Sequence, residues 1–123
     1  MPRLEPIIAV KSVSKSSQWY QELLGLKSNH GGDSFEMLTD KNGRIILCLH
    51  RWGEHEHPTM TDPSVAVGNG LILYFRVENL DKIWNKAIAL KLDIEQPPHL
   101  NENSGNRQFI LRDIDDYYLI ISE

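Results

Sequence analysis

Hydrophobic positions along this chain follow two rhythms in turn, and the whole succession of rhythms occurs twice. In "IAVKSVSKSSQWYQELLGL", residues 8–26, a short apolar strand runs into a segment where Val13, Ser16, Tyr20 and Leu23/Leu24 recur at helical spacing. In "YFRVENLDKIWNKAIALKL", residues 74–92, a second strand leads into Leu80, Ile83/Trp84, Ala87/Ile88 and Leu90 at the same spacing. The two stretches superpose with Val10 on Val77. Ser14 is placed to cap the first helix, Gly25 supplies the left-handed residue that ends it, and Leu26 follows for the usual apolar contact. A second echo lays "LTDKNGRIILCL" over "LRDIDDYYLIIS" with Asp40 on Asp113, each a polar turn entering an apolar strand. Between the two echoes the offset grows from 67 to 73 residues. The growth falls in "EQPPHLNENSGNRQ", whose prolines, asparagines and glycine predict a longer loop in the second copy.

Each copy therefore reads as strand, helix, then further strands. The fold class expected is α+β, built of two paired βαβββ modules: residues 1–52, a linker at 53–69, and residues 70–123. A sheet covered on one face by its own helix still has a face to bury, so the two sheets are expected to form a shared cleft. Alternation places Leu73, Phe75 and Val77 toward the helix, and Ile72, Tyr74 and Arg76 toward the cleft, where Tyr118, Ile120 and Ser122 join them.

Composition narrows the partners. The 123 residues suit one domain, and an ordinary apolar share argues against disorder and against a membrane protein. Thirteen basic against seventeen acidic residues, with no Lys/Arg run, make nucleic acid an unexpected partner. Cys48, the only cysteine, lies in the apolar run "IILCL" and reads as a core thiol. The N-terminal "MPRLEPIIAVKSV" has too short an apolar run for an export signal, so the cytoplasm is the expected location.

The repeat, the run "V-x-S-V-x-x-S-x-x-W-Y-x-x-x-L-G-L" from Val10 to Leu26, and "FILRDIDDYYLIIS" from Phe109 to Ser122 together resemble the glyoxalase/bleomycin-resistance/dioxygenase, or vicinal oxygen chelate, superfamily. The similarity spans almost the whole chain. The terminal motif of that family is usually D-P-D-G; here Ile114 and Asp116 stand for the Pro and Gly. Aspartate tolerates the left-handed conformation better than most residues, so the turn is expected to survive.

The resemblance implies a metal held by one residue from the first and one from the last strand of each module. Those positions are Glu5, Leu47, Ile72 and Ile120. A single carboxylate among hydrocarbons cannot hold a divalent ion, and a slip of register that brings in His50 yields only a second ligand. No cofactor is therefore predicted, and a divalent metal is disfavoured. The linker stretch "LHRWGEHEHPTM" admits three readings: a solvated polar loop, a pocket wall made of His50, Trp52, His55 and His57, or a metal site from His55 and His57. Similarity to members with a comparable linker favours the pocket wall.

Tyr74 and Tyr118 can orient a ligand through their hydroxyls or serve as plain intersheet or subunit contacts. Arg76 can clamp a carboxylate or phosphate, or pair with Glu5 or Glu78. His99 and Glu102 fall on the long loop as candidate lid residues, while Trp19 and Tyr20 read as core. The resulting expectation is a homodimeric binder of a small organic ligand, contacted by Glu5, His50, Trp52, His55, His57, Tyr74, Arg76 and Tyr118. The alternative is a glyoxalase- or dioxygenase-type enzyme, with a displaced metal or with metal-free acid–base work by Glu5 and a linker histidine.

Overall fold

The computed structural model describes residues 3–54 and 57–123, and the chain divides into two compact units, Met1–Val65 and Ala66–Glu123. Unit 1 runs β1 (Ile7–Val10), α1 (Val13–Leu24), β2 (Lys27–Ser28), β3 (Phe35–Thr39) and β4 (Ile45–Arg51). Its sheet has the order β1-β4-β3-β2, with β1 parallel to β4 and the other pairs antiparallel. Unit 2 repeats the plan as β5 (Leu73–Arg76), α2 (Leu80–Ala89), β6 (Asp93–Leu100), β7 (Arg107–Arg112) and β8 (Tyr118–Ser122), in the order β5-β8-β7-β6. The α+β class and the βαβββ repeat are as expected.

Each unit buries one helix stripe on one face of its sheet. On α1 the buried residues are Val13, Ser16, Ser17, Tyr20 and Leu23, and the helix packs over β3 and β4, where Leu38, Leu47 and Leu49 are fully buried. In unit 2, Leu80, Ile83 and Ala87 are buried on α2, and Trp84 meets Phe109 edge-on with ring centroids 5.1 Å apart. Ile88 and Leu90, expected on this stripe, are exposed. The helix stops at Ala89, and Lys91 turns left-handed at φ 56°.

Helix ends depart from expectation at one point. Ser12, not Ser14, is the N-cap of α1, and its hydroxyl accepts from the Lys15 N–H at 3.3 Å. A cap needs extended backbone outside the helix, and Val13 is already the first helical residue. Gly25 ends α1 as expected, at φ 70°, its N–H donating to the Gln21 carbonyl. The turn in which Asp116 stands for glycine survives as well: Asp116 sits at φ 71° and donates its N–H to the Asp113 carbonyl.

The long loop expected at 95–108 is mostly strand. Pro97, Pro98 and His99 belong to β6, which is an edge strand broken by register shifts between Ile94 and Gln96 and between Gln96 and His99. Proline is tolerated there because an edge residue can forgo its ladder N–H. The true loop closes over Asn101–Asn106, with the Asn101 N–H on the Asn106 carbonyl.

A bulge in unit 1 re-phases β4. Leu38 pairs with Leu47 and Thr39 with Ile45, so Ile46 is an extra residue. Unit 2 has no counterpart: β7 and β8 pair without interruption from Arg112↔Tyr118 to Gln108↔Ser122. Beyond the bulge, the partner of Ile7 is Cys48, whereas that of Tyr74 is Ile120. Leu47 is therefore turned onto the α1 side and fully buried, which corrects its expected place opposite the helix. Cys48 and His50 take that side instead.

Candidate functional site

The α1-facing side of sheet 1 is hydrocarbon except at Glu36; its opposite side carries a thiol, an imidazole and a phenyl ring. Register sets two cross-strand rows there, Ile7–Cys48–Met37 and Ala9–His50–Phe35. His50 is 3% exposed and forms a floor; its Nδ1–H donates to the Arg51 carbonyl at 2.8 Å, which fixes the ring's orientation. Above it the rings run in sequence. His30 meets Phe35 edge-on at 5.6 Å between centroids, Phe35 meets His50 at 6.3 Å, and His50 meets His57 at 5.1 Å. All three contacts are T-shaped, within the range at which ring quadrupoles attract. Phe35 and Met37 are half-buried, and His30 and His57 are exposed, so the rim is accessible while the floor is not.

His57 owes its place to local chain geometry. It precedes Pro58 as the cap of a short 3-10 turn, Pro58–Met60, and the Gly53 N–H donates to the Met60 carbonyl at 2.7 Å. Trp52 is half-buried and donates its N–H to the Val10 carbonyl. It makes no ring contact among the described residues. His55 lies outside the described residues. Glu5 engages the Arg3 guanidinium, its Oε2 accepting from Arg3 Nε at 3.1 Å.

In unit 2 the residues expected opposite the helix are there, but two of them are engaged with arginines. The Arg76 guanidinium lies over the Tyr74 ring, 5.6 Å from its centroid, and Arg112 lies over Tyr118 at 5.0 Å. Arg76 donates to the Glu123 carbonyl at 2.6 Å. Arg112 is neutralised by Glu95 at 2.7 Å. His99 is held in one tautomer: Nδ1–H donates to the Pro97 carbonyl, so Nε2 accepts from the amide of the buried Gln108. A shallow depression of about 610 Å³ along α2, lined by Asn79, Asp81, Lys82, Asn85, Lys86 and Ala89, carries one carboxylate and two ammonium groups and no convergent chemistry.

Glu36 is the site residue that sequence reasoning missed. Its carboxylate is on the α1 side, in a residue 3% exposed, and accepts five hydrogen bonds. Oε1 takes the N–H groups of His30 (3.0 Å), Gly31 (2.9 Å) and Met37 (3.0 Å); Oε2 takes the hydroxyls of Ser28 (2.6 Å) and Ser17 (3.4 Å). Burial pushes its pKa up, but the Ser28 hydroxyl and the N–H groups of Gly31, His30 and Met37 together hold it below the usual carboxylate range. The loop it holds contains the adjacent pair Gly31–Gly32, both at positive φ.

The four-position metal pattern can be re-read with the bulge included. Unit 1 then offers Glu5 and Cys48, and unit 2 offers Ile72 and Ile120. Burial, with Glu5 and Glu36 adding to it, pushes the Cys48 thiol up and disfavours the thiolate a metal needs. These residues do not fit a divalent ion, and no group of three or more His, Cys, Asp or Glu able to hold one is assembled among the described residues. Nor, among the described residues, is any helix long and apolar enough to cross a membrane.

A family model for the glyoxalase/bleomycin resistance protein/dioxygenase superfamily matches residues 3–121. The chain belongs to that superfamily. Solved structures of the same fold include a superfamily enzyme from Burkholderia phytofirmans PsJN, with a TM-score of 0.76 and 20% identity over 94% of this chain and 93% of that one. A lactoylglutathione lyase from Agrobacterium tumefaciens aligns at 0.74 and 17%, over 98% and 92%. TioX from Micromonospora sp. ML1 aligns at 0.71 and 18%, over 98% of both chains. At these identities the likeness concerns the fold. No curated protein matches.

Proposed function

We propose that this superfamily member binds a small planar organic molecule on the side of sheet 1 opposite α1, without a resident metal. The observation that carries the reading is the ring row His30–Phe35–His50–His57, in which an oriented, buried imidazole is flanked by accessible rings. Edge-to-face ring pairs contribute about 0.5–1.5 kcal/mol each beyond buried area, and the same attraction extends to an aromatic guest. Tyr74 and Tyr118 under their arginines offer further amphipathic surface on unit 2. An acid–base enzyme would need Glu5 poised against a linker histidine, and Glu5 is engaged by Arg3.

Indole, a planar ring with one N–H donor, is the probe. Added to isotope-labelled protein, it is expected to shift the resonances of Phe35, His50 and His57, and elemental analysis of the natively purified chain is expected to find no stoichiometric Zn, Fe, Ni or Mn. The proposal fails if those resonances stay still while others move, or if about one metal per chain is retained and lost on mutating His50 or Glu5.

A further inference from the structure

We infer that Glu36 is the positioning residue of this ligand face, acting through His30 from the opposite side of the sheet; the inference rests on the reading of the ring row as the binding surface. β2 pairs with β3 for only two residues, Lys27↔Thr39 and Ser28↔Leu38, and a last ladder bond joins the Asn29 N–H to the Met37 carbonyl. Beyond Asn29 the chain leaves the sheet and returns only at Phe35. A segment that lacks ladder bonds needs its N–H groups satisfied elsewhere. Here one carboxylate does so: Glu36 takes the consecutive N–H groups of His30 and Gly31, at 3.0 and 2.9 Å.

The geometry makes the carboxylate an anchor and the imidazole its load. Glu36 faces α1, where Ser17 donates to it and Gln21 in turn donates to Ser17 at 2.8 Å. The neighbouring Phe35 points the other way, and His30 meets its ring edge-on. The loop therefore wraps the sheet edge, gripped on the helix side and presenting a ring on the ligand side. His30 Nδ1 lies 2.7 Å from the Gly31 carbonyl and donates its hydrogen to it, so the gripped backbone also orients the ring. Charge-assisted bonds of this kind are roughly twice as strong as neutral ones, and Gly31 and Gly32, at φ 74° and 129°, allow the backbone to turn both N–H groups inward. Glu36 never reaches the ligand side. Its effect on binding is entirely through where His30 stands.

The test uses the intact chain, indole as ligand and the His30 and Gly31 amides as reporters. In the wild type both amides are expected downfield and slow to exchange. Glu36→Gln places an amide N–H₂ against donors, so both signals should move upfield and exchange faster, and indole affinity should fall about tenfold, equivalent to about 1.4 kcal/mol. His30→Ala should weaken indole equally while leaving the Gly31 amide in place, which separates lost positioning from a general loss of structure. If Glu36→Gln does not fold, Ser28→Ala removes the 2.6 Å donor alone and should produce a smaller loss of the same pattern. A wild type that binds indole, with a Glu36→Gln or Ser28→Ala variant whose loop amides shift but whose affinity is unchanged, overturns the inference alone; unchanged affinity in His30→Ala does the same. A wild type whose Phe35 and His50 resonances ignore indole removes the functional reading and this inference with it.

Discussion

Ser16 Oγ is fully buried on α1 and has no hydrogen-bond partner. An unsatisfied buried hydroxyl costs about 1–3 kcal/mol, and alanine is also the better helix former. Ser16→Ala is therefore expected to raise the free energy of unfolding by about 1 kcal/mol, measured by denaturant titration. A loss of stability would mean that the hydroxyl is satisfied after all. At this scale the sequence was most readable where the chemistry is local. Asp113 accepts from the N–H groups of Asp115 and Tyr117, just as Asp40 accepts from those of Asn42 and Arg44, and such turns declare themselves within five residues. Glu36 could not be read this way. Its donors come from α1, β2, the following loop and its own strand, and no spacing along the chain announces that they converge.

Among the elements, the loop between β2 and β3 gives unit 1 a defined acid response. The folded-state pKa of Glu36 is lowered, so its contribution to stability is complete above the unfolded carboxylate value and lost as pH falls through the folded one. The thermal midpoint of the wild type should exceed that of Glu36→Gln at neutral pH, and the gap should close as pH falls through and below the ordinary carboxylate range, about pH 4. Exposed carboxylates affect both proteins alike, so a gap that stays constant across this range would show that the cradle does not favour the charged form. Both helices and most strands were legible because each buries one stripe at a regular period. β6 was not, since its prolines carry the composition of a loop, and only its place at the sheet edge makes them compatible with a strand. The side assigned to Leu47 was wrong for a related reason: a bulge is set by backbone pairing, and the run "RIILCL" is apolar on either phase.

For the whole molecule, the internal repeat carried the fold, because two copies of one pattern specify the same unit twice whatever their individual ambiguities. The candidate site was legible only in part. Of the four linker residues expected as a pocket wall, His50 and His57 are in ring contact, whereas their continuation through Phe35 and His30 depends on cross-strand pairing that sequence spacing does not encode. Association of copies is expected from the sheet edges: β1 and β5 are edge strands, and Leu4, Ile7, Leu71, Ile72 and Tyr74 are exposed on or beside them. Light scattering should return twice the chain mass, and a concentration-independent monomer would reject a stable dimer. The extra residue in β4 also bears on how such sites arise. Because side chains alternate, one inserted codon before a strand's active stretch exchanges its two inventories wholesale, sending leucines inward and bringing a thiol and an imidazole to the other side without altering any of them. A lineage carrying such an indel can leave an ancestral chemistry in a single step, and relatives aligned by equal spacing would then be credited with each other's ligands.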